Sequence, residues 1–326
     1  MDDFQKLKQI IFSNRSFLLT THINPDADAI GSQLAFYEIL RKLNKEVFAV
    51  NHSSTPYFLQ FLDSNNVIEK FDQQNHSQLF QKVDVIILLD LNQTNRIVKM
   101  ENYFREFAGI KVCIDHHQDP ENAFDYIFGN TEYSATGEII YDFIKSTKIV
   151  ELDYNIAVQL YTAIMTDTGS FRFERTTSKV HLIAAELLEY GVNPTEIYDK
   201  IYSQNHFSKI KLLGEALKTI QLDDTKQIAY MIITNTDIKN TGADESEVDG
   251  FVNFCLSIEG VKIGILFFEL KDGIKVSFRS KGKIPVNKLA AEFNGGGHLN
   301  ASGTRLFNVT IEEYLPKIIK AAQNYL

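Results

Sequence analysis

The sequence predicts an α/β protein in two parts: a mostly parallel sheet with helices on both faces, then a smaller α+β domain. Three observations carry that expectation. Short apolar runs alternate with helical patterns through the first half, which is how a covered parallel sheet is written in sequence. Acidic residues and histidines recur where those runs break, the place where ligands converge in open α/β sheets. Beyond Gln227 the pattern turns to strands. At 326 residues the chain exceeds one average domain, so two are expected.

The start, Met1-Asp2-Asp3, is polar and acidic, and Phe4, Leu7, Ile10 and Ile11 follow at helical spacing. That reads as an amphipathic helix and not a signal peptide. Ser16 to Thr21 predicts a strand, and Asp28 to Leu43 a helix with Leu34, Tyr37, Ile39 and Leu40 on its apolar side. Glu46 to Val50, Val83 to Leu89 and Lys111 to Ile114 predict further strands. Helical spacing then covers Ser134 to Thr147, Tyr154 to Thr166 and Ser178 to Glu189. Gly191-Val192-Asn193-Pro194 ends the helical pattern with Gly and then Pro. Thr195 to Tyr202 and His206 to Thr219 are helical with little strand character between them, and read as a connector. Ala229 to Thr234, Val261 to Leu270 and Ile274 to Phe278 predict strands, the last two joined at Lys271-Asp272-Gly273, a hairpin signal. The expected division is 1–190, a connector over 191–220, and 221–326.

Composition narrows the function. The 44% apolar fraction supports ordinary cores. Thirty-three basic against 42 acidic residues leave a net charge of −9. A protein tracking long nucleic acid carries a basic face, so long duplex DNA is not an expected partner and a small anionic substrate is. No apolar run approaches the roughly 20 residues that span a bilayer. Cys113 and Cys255 each sit in an apolar stretch and read as small buried hydrophobes. A soluble, cytoplasmic protein with no membrane partner is expected.

The chemistry lies in four clusters: His22-x-x-x-Asp26-x-Asp28, Asp90, Asp115-His116-His117 and Thr166-Asp167-Thr168-Gly169. Each alone has an ordinary explanation, such as a helix cap, a solvated strand end or a surface histidine pair. The ordered set at matching element ends does not. Carboxylates and imidazoles gathered there would repel strongly unless cations neutralise them. Asp26 and Asp28, two residues apart on a turn, point differently and can serve two ions, and Asp90 suits a bridging position. Asp-dominated ligands favour Mn²⁺ or Mg²⁺ over structural Zn²⁺. Two ions about 3.5–4 Å apart acidify a bridging water and clamp an in-line phosphoryl displacement.

These motifs resemble the DHH phosphoesterase superfamily. Arg279 followed by Gly295-Gly296-Gly297-His298-Leu299-Asn300-Ala301-Ser302-Gly303 resembles the DHHA1 signature, with Ser302 where alanine is frequent. The likeness covers nearly the whole chain, and its layout is nearest the bifunctional nano-RNase and 3′-phosphoadenosine-5′-phosphate (pAp) phosphatase group. It implies that His22, Asp26 and Asp90 hold one ion, and Asp28, Asp90, His116 and Asp167 the other. It implies that His117 contacts the phosphoryl group, while Asp115 orients the histidines. Arg279 and the Gly295–His298 stretch, read as a flexible loop, are the expected substrate-binding residues, helped by Lys281, Lys283 and Lys288.

The expected activity is manganese-dependent hydrolysis, with Mg²⁺ as the alternative ion. Short 5′-phosphorylated oligoribonucleotides would go to mononucleotides, and pAp would lose its 3′-phosphate. The alternative is a cyclic or linear dinucleotide phosphodiesterase. Inorganic pyrophosphatases share the first-domain motifs but lack the glycine-histidine stretch, and a non-catalytic nucleotide-binding regulator has no reason to keep six ionisable ligands. A homodimer is admitted as an assembly. His52, His76, His181 and His206 match no motif and read as surface or core residues. Tyr57-Phe58 and Phe171-Arg172-Phe173 read as aromatic packing, with base stacking as the alternative and Arg172 a candidate for phosphate.

Overall fold

The computed structural model describes residues 3–326; Met1 and Asp2, the acidic start of the expected first helix, lie outside the described residues. The chain divides into two compact units, Met1–Gln204 and Asn205–Leu326.

In the first unit β1 (Ser16–Thr20), β2 (Glu46–Asn51), β3 (Ile68–Lys70), β4 (Val85–Leu89), β5 (Ile110–Ile114) and β6 (Tyr126–Phe128) form one sheet in the order β3-β2-β1-β4-β5-β6. Every pairing is parallel, with Leu19 in register with Ala49 on one side and Ile87 on the other. From β1 the chain steps outward through β2 and β3, then returns to lay β4 on the opposite side. The carboxyl ends of β1 and β4 therefore flank the topological switch point.

Unbroken apolar runs suit these strands because both faces are buried. Phe17, Leu19, Val85 and Ile87 pack under α1 (Phe4–Ser13), α2 (Ala27–Lys42), α6 (Thr136–Thr147), α7 (Tyr154–Asp167) and α8 (Ser178–Glu189). Leu18, Ile86 and Leu88 face the other way, toward Phe71, Phe80 and Phe104. The last two rings are carried by α4 (Leu79–Lys82) and α5 (Glu101–Glu106), with α3 (Gln73–His76) just before them. Fully burying such a side chain contributes about 1.5–3 kcal/mol. α9 (Pro194–Tyr202) completes the unit, capped by Asn193 with Pro194 in its first turn.

The apolar side expected for α2 does face the core, with Leu34, Ile39 and Leu40 buried and Tyr37 packed against it, but burial extends beyond that side. Every residue from Ala27 to Phe36 is buried, polar ones included. The first ten residues of the helix lie in the core, and only its last turns, with Arg41 and Lys42, reach solvent. β3 and β6 were not expected from the sequence. Each is three residues long and partly exposed at a sheet edge, too short for any periodicity.

The second unit opens with α10 (Phe207–Lys218) and forms a mixed sheet in the order β11-β12-β10-β9-β8-β7. Its strands are β7 (Gln221–Leu222), β8 (Ile228–Ile233), β9 (Ile263–Leu270), β10 (Gly273–Ser280), β11 (Gly296–His298) and β12 (Ala301–Phe307). Only β8 and β9 pair in parallel; the other pairings are antiparallel. Ala229, Met231, Leu266 and Phe268 meet Leu212 and Ala216 of α10 and Cys255 of α12 (Asn253–Leu256), with Ile238 of α11 (Asn235–Thr241) at the margin. Ile265, Phe267, Val276 and Phe278 meet Leu289 of α13 (Val286–Ala291) and Ile318 of α14 (Ile311–Gln323). The hairpin at Lys271-Asp272-Gly273 forms, with Leu270 opposite Gly273.

The flexible loop expected at Gly295–His298 is also corrected. Gly296–His298 is a strand, pairing Gly296 with Gly303, Gly297 with Ser302 and His298 with Ala301. Glycines suppress the strand signal, and only the partner β12 supplies the hydrogen bonds. Cys113 and Cys255 are buried and free. Among the described residues no helix is long and apolar enough to cross a membrane.

Candidate metal centre

Three adjacent strands deliver the first candidate side chains. His22 follows β1, Asp90 follows β4, and Asp115, His116 and His117 follow β5. Asp90 itself sits at φ 60°, a conformation that Asp tolerates better than most residues and that clusters at functional sites. Two helices bring the rest. Asp26 caps α2, its Oδ1 accepting the Ala29 amide at 3.0 Å. Asp28 lies in the first turn of α2, and Asp167 closes α7.

These helices meet closely because Gly31 has no side chain. A Cβ there would lie 2.6 Å from the Gln159 carbonyl oxygen and 3.2 Å from Ala163 Cβ. Close packing of α2 on α7 carries Asp28 and Asp167 to the same end of the sheet.

Asp90 occupies the middle. Its Oδ2 is 3.5 Å from His22 Nε2, and its Oδ1 is 3.5 Å from His116 Nε2 and 3.8 Å from His117 Nδ1. His116 Nε2 also lies 3.4 Å from Asp167 Oδ2 and 3.8 Å from Asp28 Oδ2. His22 Nε2 is 3.9 Å from Asp26 Oδ2, at the exposed mouth of the cluster. Ligand atoms within 4.8 Å of one another form three groups among the described residues: His22 with Asp26 and Asp90, Asp28 with His116 and Asp167, and Asp90 with His116 and His117.

The surrounding hydrogen bonds orient these groups. His22 Nδ1 donates to the Ile23 carbonyl at 2.8 Å, which leaves Nε2 to face Asp90. His117 Nδ1 donates to Asp115 Oδ1 at 2.6 Å, and the His117 amide donates to Asp115 Oδ2 at 3.0 Å. Asp28 accepts from Ser32 Oγ and from the amides of Thr136 and Gly137 at the start of α6.

Electrostatics explain why this set calls for cations. Burial, then the charges of Asp90 and Asp167, push the Asp28 carboxyl well above its ordinary range. Burial likewise pushes Asp167 up to about 7. Burial opposes charge on Asp90, but hydrogen bonds from His116 and His22 outweigh it and hold Asp90 well below the usual carboxylate range. Burial also opposes charge on His116, yet Asp90 and the neighbouring carboxylates raise it to about 10. Protons are thus recruited wherever positive charge is missing. Oxygen-rich groups with imidazole partners fit divalent ions that prefer such ligands.

Sequence reasoning missed four contributors. Thr136 Oγ1 donates to Asp90 Oδ1 at 3.0 Å, and Ser32 holds Asp28. Arg175 Nη1 lies 3.5 Å from His116 Nδ1. Arg96 carries a charge that opposes protonation of His22, and its carbonyl accepts the Ile23 amide at 2.8 Å. None stands in an acidic or histidine cluster, and only Thr136, the first residue of α6, offered a helix-start signal.

The remaining candidates are distributed over both units. Arg279 on β10 is half-buried, donates Nη1 to the Phe278 carbonyl at 3.0 Å, and is opposite Ala301. Burial lowers its pKa from the ordinary value. His298 and Lys281, Lys283 and Lys288 are exposed. Gly297 is at φ 138°, and a Cβ there would lie 2.5 Å from the Ala301 oxygen. A Cβ on Gly296 would meet nothing. His76 is buried beside Glu69 and Phe71, His181 packs on Phe171, and His206 hydrogen-bonds Glu247. His52 Nδ1 is buried with no hydrogen-bond partner, and the ring's pKa is lowered by burial and then by Lys99 and Lys70.

Comparison with known proteins identifies the family and the fold. Residues 16–165 match the N-terminal domain of the DHH family, and residues 225–326 match the DHHA1 domain. The chain is 30% identical over 312 residues to a bifunctional oligoribonuclease and PAP phosphatase NrnA of Thermus thermophilus, covering 94% of this chain and 89% of that protein. It is 30% identical over 298 residues to the Bacillus subtilis protein of the same name, covering 90% of each. Its fold matches an exopolyphosphatase-related protein from Bacteroides fragilis with a TM-score of 0.93 and 32% identity, over 99% of this chain and 96% of that one.

Proposed function

The chain belongs to the DHH family and is a hydrolase of phosphate esters; from that premise we propose that its substrates are short 5′-phosphorylated oligoribonucleotides and pAp. The observation that carries this reading is Asp90, whose two oxygens address His22 on one side and His116 on the other. One carboxylate serving two ligand groups is the arrangement a two-ion phosphoryl site needs. Relatives named for oligoribonuclease and PAP phosphatase activity, matching over nine-tenths of the chain, support the substrate class.

We assign His22, Asp26 and Asp90 to one ion, and Asp28, Asp90, His116 and Asp167 to the other, with Mn²⁺ the ion these ligands suit and Mg²⁺ the alternative. Bound ions supply charge neutralisation and an acidified water for attack on phosphorus. His117 lies at the edge of the cluster with its Nδ1 committed to Asp115, an orientation that suits contact with the phosphoryl oxygens or protonation of the leaving oxygen. In the second unit, Arg279 provides a guanidinium for phosphate. The open backbone at Gly296 gives an anion room to approach amide groups. Free nucleotides of this kind place the enzyme in the cytoplasm.

The test is purified protein with Mn²⁺ offered pAp, a dinucleotide, a five-mer, cyclic di-AMP and pyrophosphate side by side. Turnover of pAp and the short oligomers is expected. Exclusive turnover of cyclic di-AMP, or of pyrophosphate, would replace this reading.

A further inference from the structure

The turn after Asp167 separates two aromatic residues that look alike in sequence. Gly169, Ser170 and Phe171 take three consecutive positive φ values of 58°, 60° and 63°, a region that side chains other than glycine disfavour. The turn is nonetheless tightly held. Ser170 N–H donates to the Met165 carbonyl at 2.7 Å, and the amides of Arg172 and Phe173 both donate to Thr168 at 2.9 and 3.0 Å. Arg172 Nε donates to the Gly169 carbonyl at 2.7 Å, so its guanidinium braces the turn.

The outcome is an inward ring and an outward one. Phe171 packs between Tyr161 and His181, with centroids 6.0 and 5.5 Å away, at the edge of the first unit's core. Phe173 is 57% exposed. Its ring edge rests on Gly169, where any added Cβ would strike it. Gly169 is two residues from Asp167, whose carboxylate approaches His116. A largely exposed phenyl ring is therefore held on Gly169, two residues along the chain from a member of the candidate metal cluster, by a braced, disfavoured backbone. Two residues further along, Arg175 Nη1 lies 3.5 Å from His116 Nδ1, so the chain beyond the ring returns to the cluster.

We infer that Phe173 is a stacking platform for the nucleobase attached to the phosphate being processed, and so selects nucleotides over other phosphate esters. The inference rests on the proposed nucleotide chemistry and adds its recognition element. Stacking needs only a π-face, so it is tolerant of base identity, which suits an enzyme that degrades any short sequence.

The test measures binding of AMP and of ribose 5-phosphate, with Mn²⁺ present, by calorimetry. Wild type should favour AMP by about tenfold or more. Phe173→Leu should lose most of that preference, while Phe173→Tyr should keep it; matching metal content and melting temperature exclude misfolding. Lack of preference in wild type, including lack of binding of either ligand, overturns the inference. So does a preference that survives Phe173→Leu. Dinucleotide cleavage is followed in parallel: a wild type that favours AMP through Phe173 but cleaves no nucleotide ester would uphold the platform and refute the proposed function.

Discussion

The first unit's parallel strands all end at one rim, whereas the second unit's strands, antiparallel in all pairings but one, end alternately at opposite rims. The parallel sheet gathers residues far apart in sequence: His22, Asp90 and His116 arrive from separate strands and meet around one carboxylate. The antiparallel sheet keeps its candidates on paired strands, with Arg279 opposite Ala301 and Ala301 opposite His298. A converging site is thus a network in which each member depends on the others. A ladder site is a row of separable contacts. Mutations should respect that difference.

The largest expected effect tests the network. Asp90→Asn should reduce turnover on the order of 10⁴-fold, as loss of a member of an interdependent set does, and metal content measured on the purified variant should fall. Retention of both ions with ordinary activity would remove Asp90 from the centre.

His117→Ala should come next. A group that acts on the phosphoryl oxygens is typically worth about 10²–10⁴-fold. The loss should appear in kcat with metal content preserved. If metal is lost instead, the third ligand group, in which His117 joins Asp90 and His116, describes the true coordination.

In the second unit the effects should be smaller and confined to binding. Arg279→Ala should raise KM for short substrates by roughly 10–100-fold, the range of a lost charged hydrogen-bonding pair, and leave kcat and metal content near wild type. Along a length ladder, kcat/KM should peak at a few nucleotides and fall for a 20-mer, because a net charge of −9 offers no basic track for a longer strand. Efficiency that rises with length, or that ignores Arg279→Ala, would sink this assignment.

The two adjacent glycines give the finest discrimination. Gly297→Ala should lower stability by roughly 1–3 kcal/mol, since the methyl would strike β12 and the backbone lies at φ 138°. Gly296→Ala should leave stability within about 0.5 kcal/mol, because nothing surrounds that position, yet raise KM several-fold if substrate approaches the backbone there. Thermal melts and KM on the same samples separate the two.

Much of this was legible in the chain. The α/β class followed from strands buried on both faces, whose runs stay apolar without interruption, as in Val85–Leu89. The candidate metal cluster stood out by charge: acidic and imidazole residues at element ends are costly unless something binds them, so their clustering is itself a signal. The hairpin at Gly273 was legible because its turn is local.

Other features depended on contacts that no local pattern encodes. The glycine stretch is a strand only because β12 pairs with it, and β3 and β6 exist only as edges of a sheet already formed. Thr136 serves Asp90 across 46 residues, and Gly31 matters through the Gln159 carbonyl it admits. Phe171 and Phe173 are indistinguishable by type, and a turn of three left-handed residues sends one inward and leaves the other exposed. Sequence alone determined which acidic and imidazole residues are candidates for the chemistry, because such groups gathered together advertise their cost. Tertiary structure alone decided which other residues support them, because a hydroxyl, a glycine, a ring or a lone arginine acquires its role only from what packs against it.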